Sequence, residues 1–156
     1  MNVHSLDLND FCEENYYLIG IHTALEDFKV AYLLNKSLKT QFKRAPYSLD
    51  FQNRGGKASF SIFSYSNEKY DFDWYLIANS FSEERSNSND TILFATETKT
   101  YLIPEKKKVD FFLKIVGEAE YSYLKKSLDT LNKIPQIVTS YQIDINTLKS
   151  RDYLIF

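Results

Sequence analysis

Residues 96–115 alternate apolar and polar side chains with period two on both sides of a single proline, and that pattern constrains the chain more than any other stretch. Val109, Phe111, Leu113 and Ile115 alternate with Asp110, Phe112 and Lys114. Upstream, Tyr101 and Ile103 alternate with Thr96, Thr98, Thr100 and Leu102. Period two sends successive side chains to opposite faces of a strand. Pro104 has a fixed φ and no amide hydrogen, so it suits a turn and not a sheet ladder. The reading is a hairpin with its loop at 104–108, placing Ile103 opposite Val109, Tyr101 opposite Phe111 and Leu102 opposite Asp110. The apolar set then faces the core, and Asp110, Lys114 and the threonines share a wetter face.

The flanking sequence supplies the rest of a sheet and two helices. Residues 16–22 are a compact apolar run, read as a buried strand. Thr23 and Glu26 have the spacing of a capping box. The helix after them runs to about Leu38, with Leu25, Phe28, Ala31, Tyr32 and Leu38 on one side. Pro46 limits 42–52 to an edge strand or an irregular stretch. Residues 53–57 read as a turn, 58–65 as a strand and 66–69 as a polar turn. Residues 72–78 are apolar on both faces, which predicts a central strand. Residues 82–90 are all polar and read as a mobile loop, with the next strand opening at 91–95.

Tyr121, Leu124, Leu128, Leu131 and Ile134 step by three and four along a second helix, which Pro135 ends. Ile137, Thr139, Tyr141, Ile143 and Ile145 read as one face of a last strand, and the apolar residues 153–156 should dock. The order β, α, several strands, α, β predicts a single α+β domain over 1–156. Its architecture is a two-layer sandwich: a mainly antiparallel sheet of about six strands with two main helices on one face.

Composition narrows the function. Sixteen per cent of the 156 residues are aromatic, which suits broad packing between a sheet and its helices. The formal charge is −2, so bulk electrostatics does not draw the chain to nucleic acid or to an anionic membrane. The one cysteine, Cys12, excludes an intrachain disulfide and a thiolate zinc cluster, and His4 and His22 lack zinc spacing. No metal or cofactor is expected. The start has neither a basic nor an apolar signal region, and no apolar run approaches the ~20 residues of a membrane span. Residues 53–57 carry Arg54, Gly55, Gly56 and Lys57 but lack P-loop spacing and a following helix.

The titratable candidates are His22, at the end of a strand, and Glu105 and Asp110, on either side of Lys106, Lys107 and Lys108. A working acid–base pair needs burial, whereas a loop tip flanked by lysines is wet. The same tip is well placed as a recognition surface, because function concentrates on loops held by rigid strands.

Ile103-Pro104-Glu105, followed by Asp110-Phe111, resembles the signature of the bacterial IPExxxDY family. Here four residues separate Glu105 from Asp110, and Phe111 stands where the signature has tyrosine. The resemblance implies a cytoplasmic bacterial protein with no assigned activity, and it supplies no catalytic residues. The preferred expectation is a non-catalytic module that binds a macromolecule, a protein, through Glu105, Lys106, Lys107 and Lys108. The alternative is a small-ligand binder or enzyme with a pocket between sheet and helices, using His22, Glu105 or Asp110. A third reading is RNA binding by stacking on aromatic strands, which the acidic balance opposes.

Overall fold

The computed structural model describes residues 15–53, 56–85 and 96–156. In chain order these form β1 (Tyr16–Thr23), α1 (Asp27–Leu38), β2 (Lys43–Arg44), β3 (Leu49–Asn53), β4 (Gly56–Phe60), β5 (Ile62–Asn67) and β6 (Phe72–Ala78). Then follow β7 (Ser80–Arg85), β8 (Thr96–Tyr101), β9 (Phe111–Val116), α2 (Tyr121–Asn132) and β10 (Ile137–Ile143). Short 3-10 turns occupy Pro104–Lys106, Ile145–Thr147 and Arg151–Leu154. Six strands lie in the order β10-β1-β9-β6-β5-β2, each antiparallel to its neighbours. The fold is the expected α+β arrangement, with both helices packed on one face of this sheet.

The strands β9 and β6 are central because their side chains are apolar on both faces. Phe111, Leu113 and Ile115 pack toward the helices with Ile19, Ile21, Trp74 and Leu76. Phe112 points the other way, into a second core with Leu18, Ile77, Leu102, Ile103 and Val109. The ribbon β3–β4, the segment 102–109 and the C-terminal segment contribute to that second core. Gly20 allows this close approach, since a Cβ there would lie 2.9 Å from Ile143 Cδ1 and 3.3 Å from Val109 Cγ2.

The hairpin expected between 96–103 and 109–115 does not form. Strand β8 pairs with β7, with Tyr101 opposite Ser80, while β9 pairs with β1 and β6. Alternation identifies a strand but not its partner. Because Phe111 through Ile115 are all buried, β9 needs an apolar neighbour on each side, and β1 and β6 provide that where the threonine-rich β8 would not. The expected wetter face of β9 is also absent. Lys114 is fully buried, its Nζ donating to the Leu154 carbonyl at 2.7 Å and lying 4.7 Å from the Tyr16 ring and 4.8 Å from that of Phe156. Residues 153–156 dock as expected, with Leu154 fully buried.

Several element details differ from the sequence reading. Residues 58–65 are two strands broken at Ser61, whose carbonyl accepts from the Ala78 amide at 3.1 Å. The first half pairs with β3, and the second joins the main sheet. Ser66 still belongs to β5, and the turn is tied by the Asn67 side chain, which accepts from the Lys69 and Tyr70 amides. Residues 82–85 belong to β7 and are not loop, because backbone pairing in a two-stranded ribbon needs no apolar side chain. Residues 86–95 lie outside the described residues, as do His4 and Cys12. The edge expected around Pro46 is present as β2, which pairs on one side only.

Helix α1 buries Val30, Ala31 and Leu34, whereas Phe28 and Tyr32 are 55% and 65% exposed. The capping box is not made. The Thr23 hydroxyl donates to the Gln136 carbonyl and accepts from the Leu25 amide, so the helix starts later, with Glu26 at its N-cap. The side carrying Val30, Ala31 and Leu34 faces the core, and Phe28 and Tyr32 are left outside. In α2, Leu124, Ser127 and Leu131 are buried, Leu128 is half-buried and Tyr121 is 63% exposed. The buried stripe is thus rotated toward Ser127.

Strand β10 does not keep one apolar face. A bulge opposite His22 and Thr23 leaves Val138 without a partner and 80% exposed, so Ile137 joins the helix-side core and Ile143 the other core. Its outer edge is covered at the middle by Asn132. The Asn132 Oδ1 accepts from the Ser140 amide at 2.8 Å, and its Nδ2 donates to the Ser140 carbonyl at 3.1 Å. A helix side chain thus satisfies groups that an uncharged edge strand would otherwise offer to another chain.

The rotation of α2 has a measurable consequence. Leu131→Ala should cost ~2–5 kcal/mol in denaturant melts, as a fully buried leucine does. Leu128→Ala should cost less than half of whatever Leu131→Ala costs. Equal losses would show that the helix is turned toward Leu128.

Candidate functional site

Asn79 follows β6 and is fully buried. Its backbone amide donates to the Asp110 carbonyl at 3.0 Å, and its carbonyl accepts from the Leu102 amide at 2.8 Å. Its side-chain oxygen accepts from the Ile103 amide at 2.9 Å. Its Nδ2 donates to the carbonyls of Lys106 at 2.9 Å and Val109 at 2.8 Å. A buried amide is tolerated where its groups are satisfied, and here both side-chain ends are used on one loop. Within the loop, the Lys106 amide donates to the Ile103 carbonyl, and the Val109 amide to the Lys106 carbonyl, both at 3.0 Å. Leu102, Ile103 and Val109 anchor its ends in the second core. The tip 104–108 is therefore a clamped 3-10 turn and not the end of a hairpin.

Glu105 faces the C-terminal segment. Its carboxylate accepts from the Ser150 amide at 2.7 Å and from the Ser150 hydroxyl at 3.0 Å. Partial burial pushes its carboxyl pKa up, but hydrogen bonds from the Ser150 amide, its own amide, the Ser150 hydroxyl and the Lys149 amide outweigh that and hold it below the usual value. The contact sets Lys149 and Arg151, both exposed, beside the turn that carries Lys106, Lys107 and Lys108. Lys107 and Lys108 are exposed, and Lys106 is half-buried. The Tyr101 ring joins a further cation, with Lys107 Nζ 5.8 Å and Lys99 Nζ 5.7 Å from its centroid. Two segments far apart in sequence, 99–108 and 149–152, thus build one basic surface on a chain of net charge −2. Asp152 is the one carboxylate of these segments besides Glu105, which is already engaged.

The other candidates are not brought together. Asp110 Oδ2 accepts from the Thr23 amide at 2.9 Å and so ties the start of β9 to the end of β1. His22 Nε2 lies 3.0 Å from the Tyr141 hydroxyl, with the rings 5.5 Å apart. His22, Glu105 and Asp110 each have separate partners, and no hydrogen bond joins them, so they do not form an acid–base set. Among the described residues, no group of three or more His, Cys, Asp or Glu side chains could hold a metal ion.

Sequence reasoning named the lysines but missed Asn79, Lys149, Ser150 and Arg151. Nothing local marks them: Asn79 acts across 24 to 30 residues, and Ser150 across 45. An asparagine directly after a strand apolar on both faces is the only hint, because such a position is buried and its amide must find partners.

The Glu105 contact predicts a pH signature. A carboxylate with a depressed folded pKa contributes stability above its unfolded pKa of about 4.3, and that contribution is lost as pH falls through the folded value. Glu105→Gln should lower the melting temperature at neutral pH, and the difference from wild type should shrink steadily as the pH is lowered into the acid range and Glu105 is protonated. A difference that does not change with pH would show that the charge is not what residues 149–150 hold.

No protein-family model matches the chain, and no curated protein or solved structure matches it.

Proposed function

We propose that this chain is a non-catalytic binding module that docks an acidic protein through the clamped basic turn. The observation that carries this reading is the Asn79 clamp. Five hydrogen bonds from one buried residue fix the backbone around Lys106, Lys107 and Lys108, so little loop entropy remains to be lost on binding. Lys149 and Arg151 widen the surface, and complementary charge would set on-rate and specificity.

Nucleic acid is the weaker reading. Phe63, Trp74, Phe111 and Phe112 on the sheet are buried between layers, so they offer no open platform on which bases could stack. A cytoplasmic setting and membership of the IPExxxDY family are part of the same proposal. Supporting it, each residue of the resemblance has a structural role: Ile103 binds Asn79, Pro104 opens the turn, Glu105 holds Ser150, Asp110 holds Thr23 and Phe111 packs in the helix-side core. No described helix is long and apolar enough to cross a membrane.

Two charge-reversed variants test the proposal by affinity capture from the native cell. One carries Glu at 106, 107 and 108, and the other carries Lys149→Glu with Arg151→Glu. Both should lose the same acidic partner, while the second keeps a melting curve near wild type, since exposed charges contribute ~0–1 kcal/mol each, and Lys107→Glu with Lys108→Glu repeats the loss without touching half-buried Lys106. A partner retained by both variants, or released by ribonuclease, would overturn the reading.

A further inference from the structure

At the end of the sheet where β1 turns into α1, a cleft of about 570 Å³ opens between residues 23–27, β2, the β4–β5 junction and the β7–β8 ribbon. That volume lies within the ~300–1,000 Å³ of small-molecule sites. The charged groups lining it come from different segments. Glu26 and Asp27 belong to the β1–α1 turn and Asp110 to the start of β9, whereas Arg44 comes from β2 and Lys99 from β8.

These groups are unequally committed. Glu26 pairs with Lys29 at 3.8 Å, and Asp27 Oδ1 accepts from the Phe28 amide at 2.7 Å. Asp110 uses Oδ2 on the Thr23 amide, and its Oδ1 has no partner among the described residues. Arg44 and Lys99 make no ion pair with a described residue, although the Tyr101 ring steadies Lys99. The hydroxyls of Ser61 and Ser80 in the same cleft make no hydrogen bond with a described residue.

A simple anion entering here would meet three carboxylates, and a simple cation would meet two uncompensated cations. A ligand that carries both signs at its two ends satisfies both sets. We infer that this cleft binds a small zwitterion, an α-amino acid or a short peptide. Its ammonium group donates to Asp110, its carboxylate accepts from Arg44 and Lys99, and the serine hydroxyls complete its polar contacts. A guanidinium presents a planar fork that matches a carboxylate, so Arg44 sets the orientation. The cleft meets the edge of the basic surface at Lys99 but is lined by none of Lys106, Lys107, Lys108, Lys149 or Arg151, so it is a second site that adjoins the first.

The test is calorimetric or NMR titration of the full chain with the twenty amino acids and with trialanine. The same ligands are then titrated after N-acetylation or C-terminal amidation. At least one zwitterion should bind saturably, and blocking either end should weaken it about tenfold or more, as expected for loss of a charge-assisted pair. Arg44→Gln and Asp110→Asn should each weaken binding by a similar factor with unchanged melting temperature, and Lys36→Gln should leave it alone. No saturable binding at millimolar ligand would overturn the inference. So would equal binding of the blocked forms, or binding of nucleoside monophosphates in their place.

Discussion

One buried side chain, Asn79, holds the end of the central strands to the basic turn at 104–108. Taking an amide out of water without partners costs ~1–3 kcal/mol, and in a low-dielectric interior the penalty grows with each unsatisfied group. Asn79 avoids it by joining three pieces of chain: the end of β6, the start of β9 and the segment 102–109. The same bonds supply what that segment lacks, since a turn away from any ladder must place its amides and carbonyls somewhere. Residue type matters here. Aspartate would bring a charge and no donor for the carbonyls of Lys106 and Val109, and leucine would bring neither donor nor acceptor.

A second constraint is that the sheet is buried on both faces, and Lys114 is where this is hardest to satisfy. Its ammonium lies on the face away from the helices, inside protein. Burial of a charge is costly unless it is engaged, and here a carbonyl and the rings of Tyr16, Tyr75 and Phe156 surround it. The consequence is structural. The C-terminal segment is held down at Leu154 by Lys114 and at Ser150 by Glu105, so the segment that carries Lys149 and Arg151 has two fixed points. The cations of this basic surface are therefore positioned by contacts that are not themselves basic patches.

How much of this was legible in the sequence follows from the range of each interaction. Strand β6 read as central because its two faces are apolar within seven residues, and Pro46 and Pro135 act on their own neighbourhoods. The partner of β8 was not legible, because Thr98 and Thr100 alternate equally well against β7 or β9. The side of α1 was legible only in part: Leu25, Ala31 and Leu38 pack on the core as read, but Phe28 and Tyr32 step as regularly as Val30 and Leu34, and it is the second pair that is buried. At the basic surface, the lysines were visible as a run. The residues that make the run a rigid surface lie far away in sequence, so no local pattern could announce them.

Amide hydrogen exchange in the wild type and in Asn79→Ala tests the clamp directly. Wild-type Leu102, Ile103 and Val109 should be protected. The variant should lose protection at Leu102 and Ile103, while amides in the middle of β1 and β9 exchange as before. Protection of Leu102 and Ile103 that survives the substitution would contradict the account, because the turn would then be held by its own packing and not by the buried amide.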